Sequence, residues 1–328
     1  MRYLLRRVGF FLLTLWAALT LNFFLPHFMP GSPINTLRAQ TKGRVSDAQL
    51  EQILTSFGYK PHENIVSQYF DYFGNMITGN WGVSLGSSLG TPVSKLIGQA
   101  LPWTLGLVGF TTVLAFLLGS LIGTIAAWRR GGIVDSVLPS VFVVTSALPF
   151  FVVGLFLILF LTVDNTWLPS SGNYDTSIVA GFSPGFVGSV LKYAALPTLT
   201  LLITSIGGWV LTMRNNMITT LAEDYIRMGR AKGLNDRKVM LNYAARNAFL
   251  PNLSGFAMSI GFVLTGAILV EKIFNYPGLG YQLYNAVSSI DYPMMQTLFM
   301  LFTVAVLGSL LVCDLVTVWL DPRTRAKG

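Results

Sequence analysis

Six apolar runs punctuate the chain: Val8 to Pro26, Leu105 to Trp128, Ile133 to Val163, Leu196 to Met213, Leu253 to Val270 and Met294 to Leu320. Crossing about 30 Å of hydrocarbon takes roughly 20 helical residues at about 1.5 Å each, with every backbone hydrogen bond closed inside the segment. The pattern predicts six transmembrane helices. The first run follows a basic start, Met1-Arg2-Tyr3-Leu4-Leu5-Arg6-Arg7, as an export signal would. Its apolar stretch is too long for one and no small-residue cleavage site follows, so a retained helix is expected.

Two polar stretches carry helical periodicity of their own. Between the first and second runs, about Phe28 to Leu101, Ser46 and Gln49 form a capping box ahead of Leu50, Ile53, Leu54 and Phe57, and Gly58 supplies a stop. A second helix is expected where Val66, Tyr69, Phe70, Phe73 and Ile77 share one face. This segment is expected to be a small helical cap, covering helix ends or meeting a solute-delivering partner.

The other polar stretch, Ala222 to Pro251, resolves into two short helices. Leu221, Tyr225 and Met228 mark one apolar stripe, Gly233 ends that helix, and Asn235 or Asp236 caps the next. The second stripe is Val239, Met240, Tyr243 and Ala244, and Pro251 is expected to stop it before the fifth run. Glu223 and Asp224 lie near the first helix's start, Arg230 and Lys232 near its end, as the helix dipole favours. Three readings fit: a basic helix on anionic lipid headgroups, a solvated loop, or a helix pair that docks a protein.

Composition sharpens the membrane reading. Of 328 residues, 52% are hydrophobic and 11% charged, against about 25% charged in soluble domains, and the mean hydropathy is +0.59. The net charge of +8 is informative by location. One side collects Arg2, Arg6, Arg7, Arg129, Arg130, then Arg214, Arg227, Arg230, Lys232, Arg237, Lys238 and Arg246, and finally Arg323, Arg325 and Lys327. The other holds Lys192, Lys272 and five more in the long segment, where the bias carries little weight. Both termini and the Ala222–Pro251 stretch are therefore expected to be cytoplasmic. No aromatic-basic RNA-binding motif occurs, and the single cysteine, Cys313, can form no internal disulfide.

Catalytic chemistry finds little support. There is no G-x-x-x-x-G-K-[ST] run to cradle nucleotide phosphates, no H-E-x-x-H, and no nucleophile with a partnered base within a span. His27 and His62 lack Cys, Asp or Glu at ligand spacing, so no metal site is expected. Asp314 is the clearest carboxylate inside a span, about 9 Å from the run's end, where structural pairing outweighs a proton- or ion-coupling role. Gly119 and Gly123 form a small-xxx-small pair suited to close helix packing. Pro139 and Pro149 are expected to bend span three, with Pro149 the gating candidate. Trp128, Trp167 and Trp319 fall at the expected interfaces as belt anchors.

Several stretches resemble one family. Glu223-Asp224-Tyr225-Ile226-Arg227, Arg230-Ala231-Lys232-Gly233-Leu234 and Arg246-Asn247-Ala248-Phe249-Leu250-Pro251 are similar to the cytoplasmic signature loop of ABC importer permeases, in the dipeptide/oligopeptide/nickel branch. Met29-Pro30-Gly31-Ser32-Pro33, Trp167-Leu168-Pro169, Phe274-Asn275-Tyr276-Pro277-Gly278-Leu279-Gly280 and Leu320-Asp321-Pro322-Arg323 agree in order along nearly the whole chain. The gap from Gly233 to Leu250-Pro251 is longer than in the general importer signature and resembles the peptide branch.

The resemblance implies an all-α integral membrane protein: six transmembrane helices of the type I ABC importer permease fold with a helical extracytoplasmic loop domain. It divides the chain into an N-terminal span (1–27), that loop domain (28–101), a five-helix permease core (102–320) containing a coupling loop (214–252), and a tail (321–328). It implies docking to ATPase subunits through Glu223, Asp224, Tyr225, Arg227, Arg230, Ala231, Lys232, Gly233 and Leu234. The implied partners are a second homologous permease, two cytoplasmic ATP-binding subunits and an extracytoplasmic solute-binding protein, besides membrane lipid; nucleic acid is not among them. ATP and Mg would be used by the ATPases and no cofactor bound by this chain. The implied location is a bacterial or archaeal plasma membrane, and the cargo is peptide, with oligosaccharide or nickel as alternatives. Rival readings of the residues are a self-sufficient channel or ion-coupled carrier, and a membrane scaffold.

Overall fold

The computed structural model describes residues 2–320 except 43, 61, 164, 166 and 266; the side chains of 2–6, 40, 133–136 and 314–320 are also outside the described set. Among the described residues the structure is helical, with one isolated β-bridge between Val83 and Pro92. Among the described residues, five helical runs are long and apolar enough to cross a membrane: Arg7–Phe28, Val93–Trp128, Pro184–Leu221, Asp236–Ile273 and Tyr292–Cys313. A sixth apolar stretch is a bent pair of helices, Val137–Ala147 with Phe150–Val163, meeting at 92°. Among the described residues the six apolar runs fall on helices, the third broken at Leu148-Pro149 and the fifth shared between helices that end at Thr265 and begin at Ile268, and several helices extend well beyond the greasy stretch. The chain divides into two units, described separately below.

The first unit comprises 1–104, 264–272 and 277–308. Helix α1 (Arg2–Phe28) is followed by Gly31 at φ +113° and Ser32, whose hydroxyl accepts from the Asn35 amide and caps α2 (Pro33–Gln40) with proline at its first position. A side chain at Gly31 would meet Ile290, itself held at φ +54°. Helix α3 (Asp47–Ser56) carries the predicted capping box, buries Leu50 and Leu54, and ends before Gly58 at φ +93°. Ile53 and Phe57, expected on its inner face, are instead at the surface.

Helix α4 (Ile65–Thr78) corrects a second expectation. Of its apolar face, Tyr69 and Phe73 turn inward, and Tyr69 meets Phe23 edge-to-face, stacks on Phe24 of α1 and shares a 2.9 Å hydrogen bond with Thr20. Val66, Phe70 and Ile77 are exposed, Ile77 at 82%. The face that packs is centred on Tyr72, one helical step away. Periodicity finds an apolar stripe but not whether protein or acyl chains cover it, and beside a transmembrane helix that is itself exposed at Leu21, Leu25 and Phe28, lipid suits the stripe.

Helix α5 (Val93–Thr104) packs through Val93, Ile97 and Ala100 onto Leu279, Leu283, Ala286, Met295 and Leu298.

The second unit comprises 105–263, 273–276 and 309–328. A π-helical turn at Leu105–Gly109 leads into α6 (Phe110–Trp128). The predicted small-residue pair does bring helices together. A Cβ on Gly119 would stand 2.5 Å from the Trp209 Cβ, and one on Gly123 2.5 Å from the Val210 carbonyl oxygen. The bent pair is α7 (Ile133–Ala147) and α8 (Phe150–Ile158), continued by a π-helical stretch to Val163. Pro139 lies inside α7 without ending it; the break falls at Leu148-Pro149, where Leu148 is extended as a residue before proline prefers. Helix α9 (Pro184–Leu221) receives α7 at Gly207, whose Cβ position is occupied by Ser146 and the Phe142 carbonyl, a close approach not apparent from spacing.

Pro251 was expected to stop the second loop helix and does not. It sits inside α12 (Arg246–Thr265), reached from α10 (Asp224–Ala231) through α11 (Asp236–Lys238) and a π-helical segment, Val239–Ala245. A proline removes one N–H but does not forbid a helix whose turns are held by packing. Ala248 and Asn252 are buried on either side of it, and the Asn252 amide donates to Ser120 at 2.7 Å.

The close approach gives a direct test. Gly123→Leu should lower the yield of folded, detergent-extracted protein severalfold, whereas Gly208→Ala, which meets nothing within 4 Å, should leave both yield and melting temperature unchanged in size-exclusion and thermal-shift measurements.

Candidate functional site

The loop joining α9 to α12 is a packed element. Its first helix has a buried face formed by Ile226 (1% exposed) and Gly229, whereas Tyr225 and Met228, the predicted stripe, are exposed, Met228 at 57%. The sequence reading was one residue out of phase, because in so short and polar a helix Tyr225 and Ile226 are both plausible anchors and periodicity cannot choose between them. The burial partners decide it. Ile226 joins Ala127 of α6, Met213 and Met217 of α9, and Val239, Ala244 and Ala248 of the returning segment, with Leu234, Tyr243 and Trp128 at the margin. The second predicted stripe holds: Val239 and Ala244 are buried, and Met240 and Tyr243 pack beside them.

The ends of α10 are set by local chemistry. Glu223 stands at the N-cap with extended backbone, and its side chain makes no cap hydrogen bond. At the C-terminal end the Lys232 amide donates to Met228, Gly233 to Arg230 at 2.9 Å and Leu234 to Gly229, closing the helix as Gly233 takes φ +72°. A left-handed residue bearing a Cβ is disfavoured by about 1–2 kcal/mol, and a β-branched one by more. Nothing lies within 4 Å of where the Gly233 Cβ would be, so the constraint is backbone conformation and not space. Asn235, not Asp236, caps the next helix by accepting from the Arg237 amide at 2.9 Å.

The remaining predicted docking residues divide by role. Asp224 and Arg227 stand 3.8 Å apart on the exposed face, and a pair so open to water holds little stability, about 0–1 kcal/mol. Ala231 and Lys232 are exposed. The Arg230 guanidinium lies 5.3 Å from the centre of the Trp128 ring, so Trp128 receives a cation on its face instead of standing as a simple belt anchor. The Tyr225 hydroxyl accepts from Asn247 at 3.1 Å, tying α10 to the start of α12. The arrangement is a short helix whose inner face is fastened to the ends of α6 and α9 and whose outer face, Asp224, Tyr225, Arg227 and Met228, is open. Burying one isoleucine stabilises the seat by about 1.5–3 kcal/mol.

Two buried carboxylates lie in the first unit, both missed in favour of Asp314, whose side chain is outside the described residues. Glu271, on α13 (Ile268–Ile273), is 0% exposed. It accepts from the Thr104 hydroxyl at 2.8 Å and the Tyr281 amide at 3.0 Å, while Thr104 accepts from the Leu279 amide at 2.7 Å. It therefore sits at the N-terminus of α14 (Leu279–Ser288), where the dipole favours an anion. Gly278 and Gly280 make this possible: a Cβ on the first would overlap Glu271 and Thr104, and on the second would stand 2.7 Å from the Ile268 Cα. The apolar neighbours of Glu271 and the glycine spacing after Pro277 were the available signals. Asp291 precedes α15 (Tyr292–Leu320) and accepts from Ser84 at 2.5 Å, Gly86 at 3.1 Å and Met294 at 3.3 Å. Burial pushes its carboxyl above the usual range, and those hydrogen bonds pull against the shift.

The histidines have ordinary partners: His27 lies against the Phe23 carbonyl and Gln68, and His62 is 2.7 Å from Glu51. Among the described residues no group of three or more His, Cys, Asp or Glu side chains could hold a metal.

Glu271→Ala should lower unfolding free energy by about 3 kcal/mol, because donors at a buried helix start lose their acceptor. Lys232→Gln, at an exposed position, should change it by less than about 0.5 kcal/mol. Denaturant titration in detergent distinguishes the two.

Residues 119–326 match the family described as "Binding-protein-dependent transport system inner membrane component". Over 325 residues, 99% of each chain, the sequence is 32% identical to a dipeptide transport system permease protein of Lactococcus lactis subsp. cremoris. It is 31% identical over 322 residues, 98% of each, to an oligopeptide transport system permease protein of Bacillus subtilis. It is 30% identical over 328 residues, the whole of both chains, to a glutathione transport system permease protein of Escherichia coli K12.

Proposed function

Because the chain belongs to the family of binding-protein-dependent transport system inner membrane components, we propose that it is the multi-pass permease subunit of an ATP-driven importer of short peptides. The relatives are named for dipeptides, oligopeptides and glutathione, itself a tripeptide. A transport subunit makes no covalent change in its cargo, and the chain carries no phosphate-cradling sequence, so nucleotide chemistry falls to separate ATPase subunits that use ATP and Mg. A second permease completes the pathway, and an extracytoplasmic binding protein delivers the peptide. The distribution of Lys and Arg supports a cytoplasmic side for the α9–α12 connection and both termini.

The observation that carries the mechanism is the two-faced α10. Its open face, Asp224, Tyr225, Arg227 and Met228, meets an ATPase subunit, with Glu223, Arg230, Ala231, Lys232, Gly233 and Leu234 setting its ends and angle. Its inner face is fixed at Ile226 to the ends of α6 and α9. Closure of the ATPases on ATP displaces α10 as a rigid piece, and the packed seat passes that displacement to two spans. The break at Pro149, where two helical halves meet at 92°, is where span three absorbs the change as a gate.

Two measurements test this reading. A tagged chain should copurify with a second permease and ATPases, and vesicles holding the assembly should take up peptide only with ATP and binding protein present. Gly233→Val should reduce uptake at least tenfold while the spans still insert. Uphill uptake by the chain alone would establish the ion-coupled alternative instead.

A further inference from the structure

The first unit encloses a cavity of about 480 Å³ between the inner side of α4, the segment from Asn80 to Leu85 and the start of α15. This is within the usual range for small-molecule sites, about 300–1,000 Å³. Its wall is aromatic: Phe23, His27, Tyr59, Tyr72, Trp81 and Tyr292. Among the described residues, two of these rings carry a buried donor without a hydrogen-bond partner, the Tyr72 hydroxyl and the Trp81 indole N–H, and Tyr72 is only 5% exposed. A buried polar group left unpaired costs about 1–3 kcal/mol, and Tyr and Trp in apolar surroundings normally find a partner. Both donor atoms are closed off from the cavity, so the two rings form its wall without offering their donors to its contents.

Charges of both signs stand on the same wall. Lys60 reaches Asp71 at 2.7 Å and Glu63 at 3.1 Å, and Lys60 and Asp71 are each about half exposed. An arriving ligand can exchange with such solvated pairs at little cost, an ammonium taking the carboxylates and a carboxylate taking the lysine. Gln68, Asp71, Tyr72 and Asn75 of α4, with Lys60 and Glu63 just before it, line the cavity, whereas Val66, Phe70 and Ile77 are exposed. The helix thus separates a polar-aromatic chamber from an apolar outer surface.

We propose that this cavity binds a short zwitterionic peptide bearing an apolar or aromatic side chain. The side chain packs among the rings, and the free termini pair with Lys60 and with Asp71 and Glu63. This rests on the peptide reading of the transport function and adds a binding site within the permease itself.

The test uses the full chain in lipid nanodiscs without any binding protein, with radiolabelled alanyl-phenylalanine as probe. Saturable binding is expected. Asp71→Asn, which removes one half-exposed carboxylate from the wall, should weaken it about three- to fivefold. Lys60→Gln should weaken binding of the free dipeptide but leave the N-acetylated, C-amidated form unchanged, a selectivity that mere loss of packing would not produce. No saturable binding, or binding insensitive to both Asp71→Asn and Lys60→Gln, overturns the site. Peptide uptake by the full assembly, measured in parallel, separates the two readings. Uptake without binding removes the cavity proposal alone, and absence of uptake of any peptide contradicts the transport reading on which it rests.

Discussion

The burial of Ile226 against Met213, Met217 and Ala127 is the contact on which the mechanical account depends. Without it, α10 would be a polar eight-residue helix on a tether, and isolated helices so short are marginal in water. With it, the helix has a fixed orientation relative to α6 and α9, and its charged outer face is presented in one direction. The flanking devices serve the same end. Gly233 at positive φ turns the chain back, Asn235 starts the next helix, and the Tyr225–Asn247 hydrogen bond ties the outgoing and returning strokes together. Stiffness is what a transmitting element needs, because displacement applied to a soft loop is lost within it.

The first unit solves a different problem, anchoring short helices beside a membrane. Glu271 gathers the Thr104 hydroxyl and the start of α14 around one buried carboxylate, and Asp291 does the same for Ser84, Gly86 and the start of α15. In both cases the acid supplies the acceptor that backbone amides at a helix start lack. The glycines of Pro277-Gly278-Leu279-Gly280 then have a steric meaning, since any Cβ there would enter the space of Glu271, Thr104 or Ile268. A sequence motif that reads as a family signature is, physically, the clearance around an anion.

How much of this was legible depended on the range of the signal. The apolar runs, the Ser46–Gln49 capping box, the Gly233 stop and the Gly119/Gly123 contact follow from local periodicity or from a single backbone constraint, and each lies where the sequence predicted. The inner faces of α4 and α10 did not follow, because a stripe of side chains says that something apolar covers it without saying what: Phe70 and Ile77 face outward, and Ile226 supplants Tyr225. Pro251 failed as a stop because tertiary packing holds the turn that the proline weakens. Glu271 was passed over because its partners are 167 and 10 residues away, and Thr104 carries no charge to advertise the pairing.

The most direct test of the lever is the ratio of peptide taken up to ATP hydrolysed, measured in vesicles holding the complete importer with Ile226→Ala in this chain. The account predicts that hydrolysis continues while peptide per ATP falls at least tenfold, because α10 still meets its ATPase but no longer drives the ends of α6 and α9. An unchanged ratio, with the variant inserted and assembled at the normal level, would contradict it.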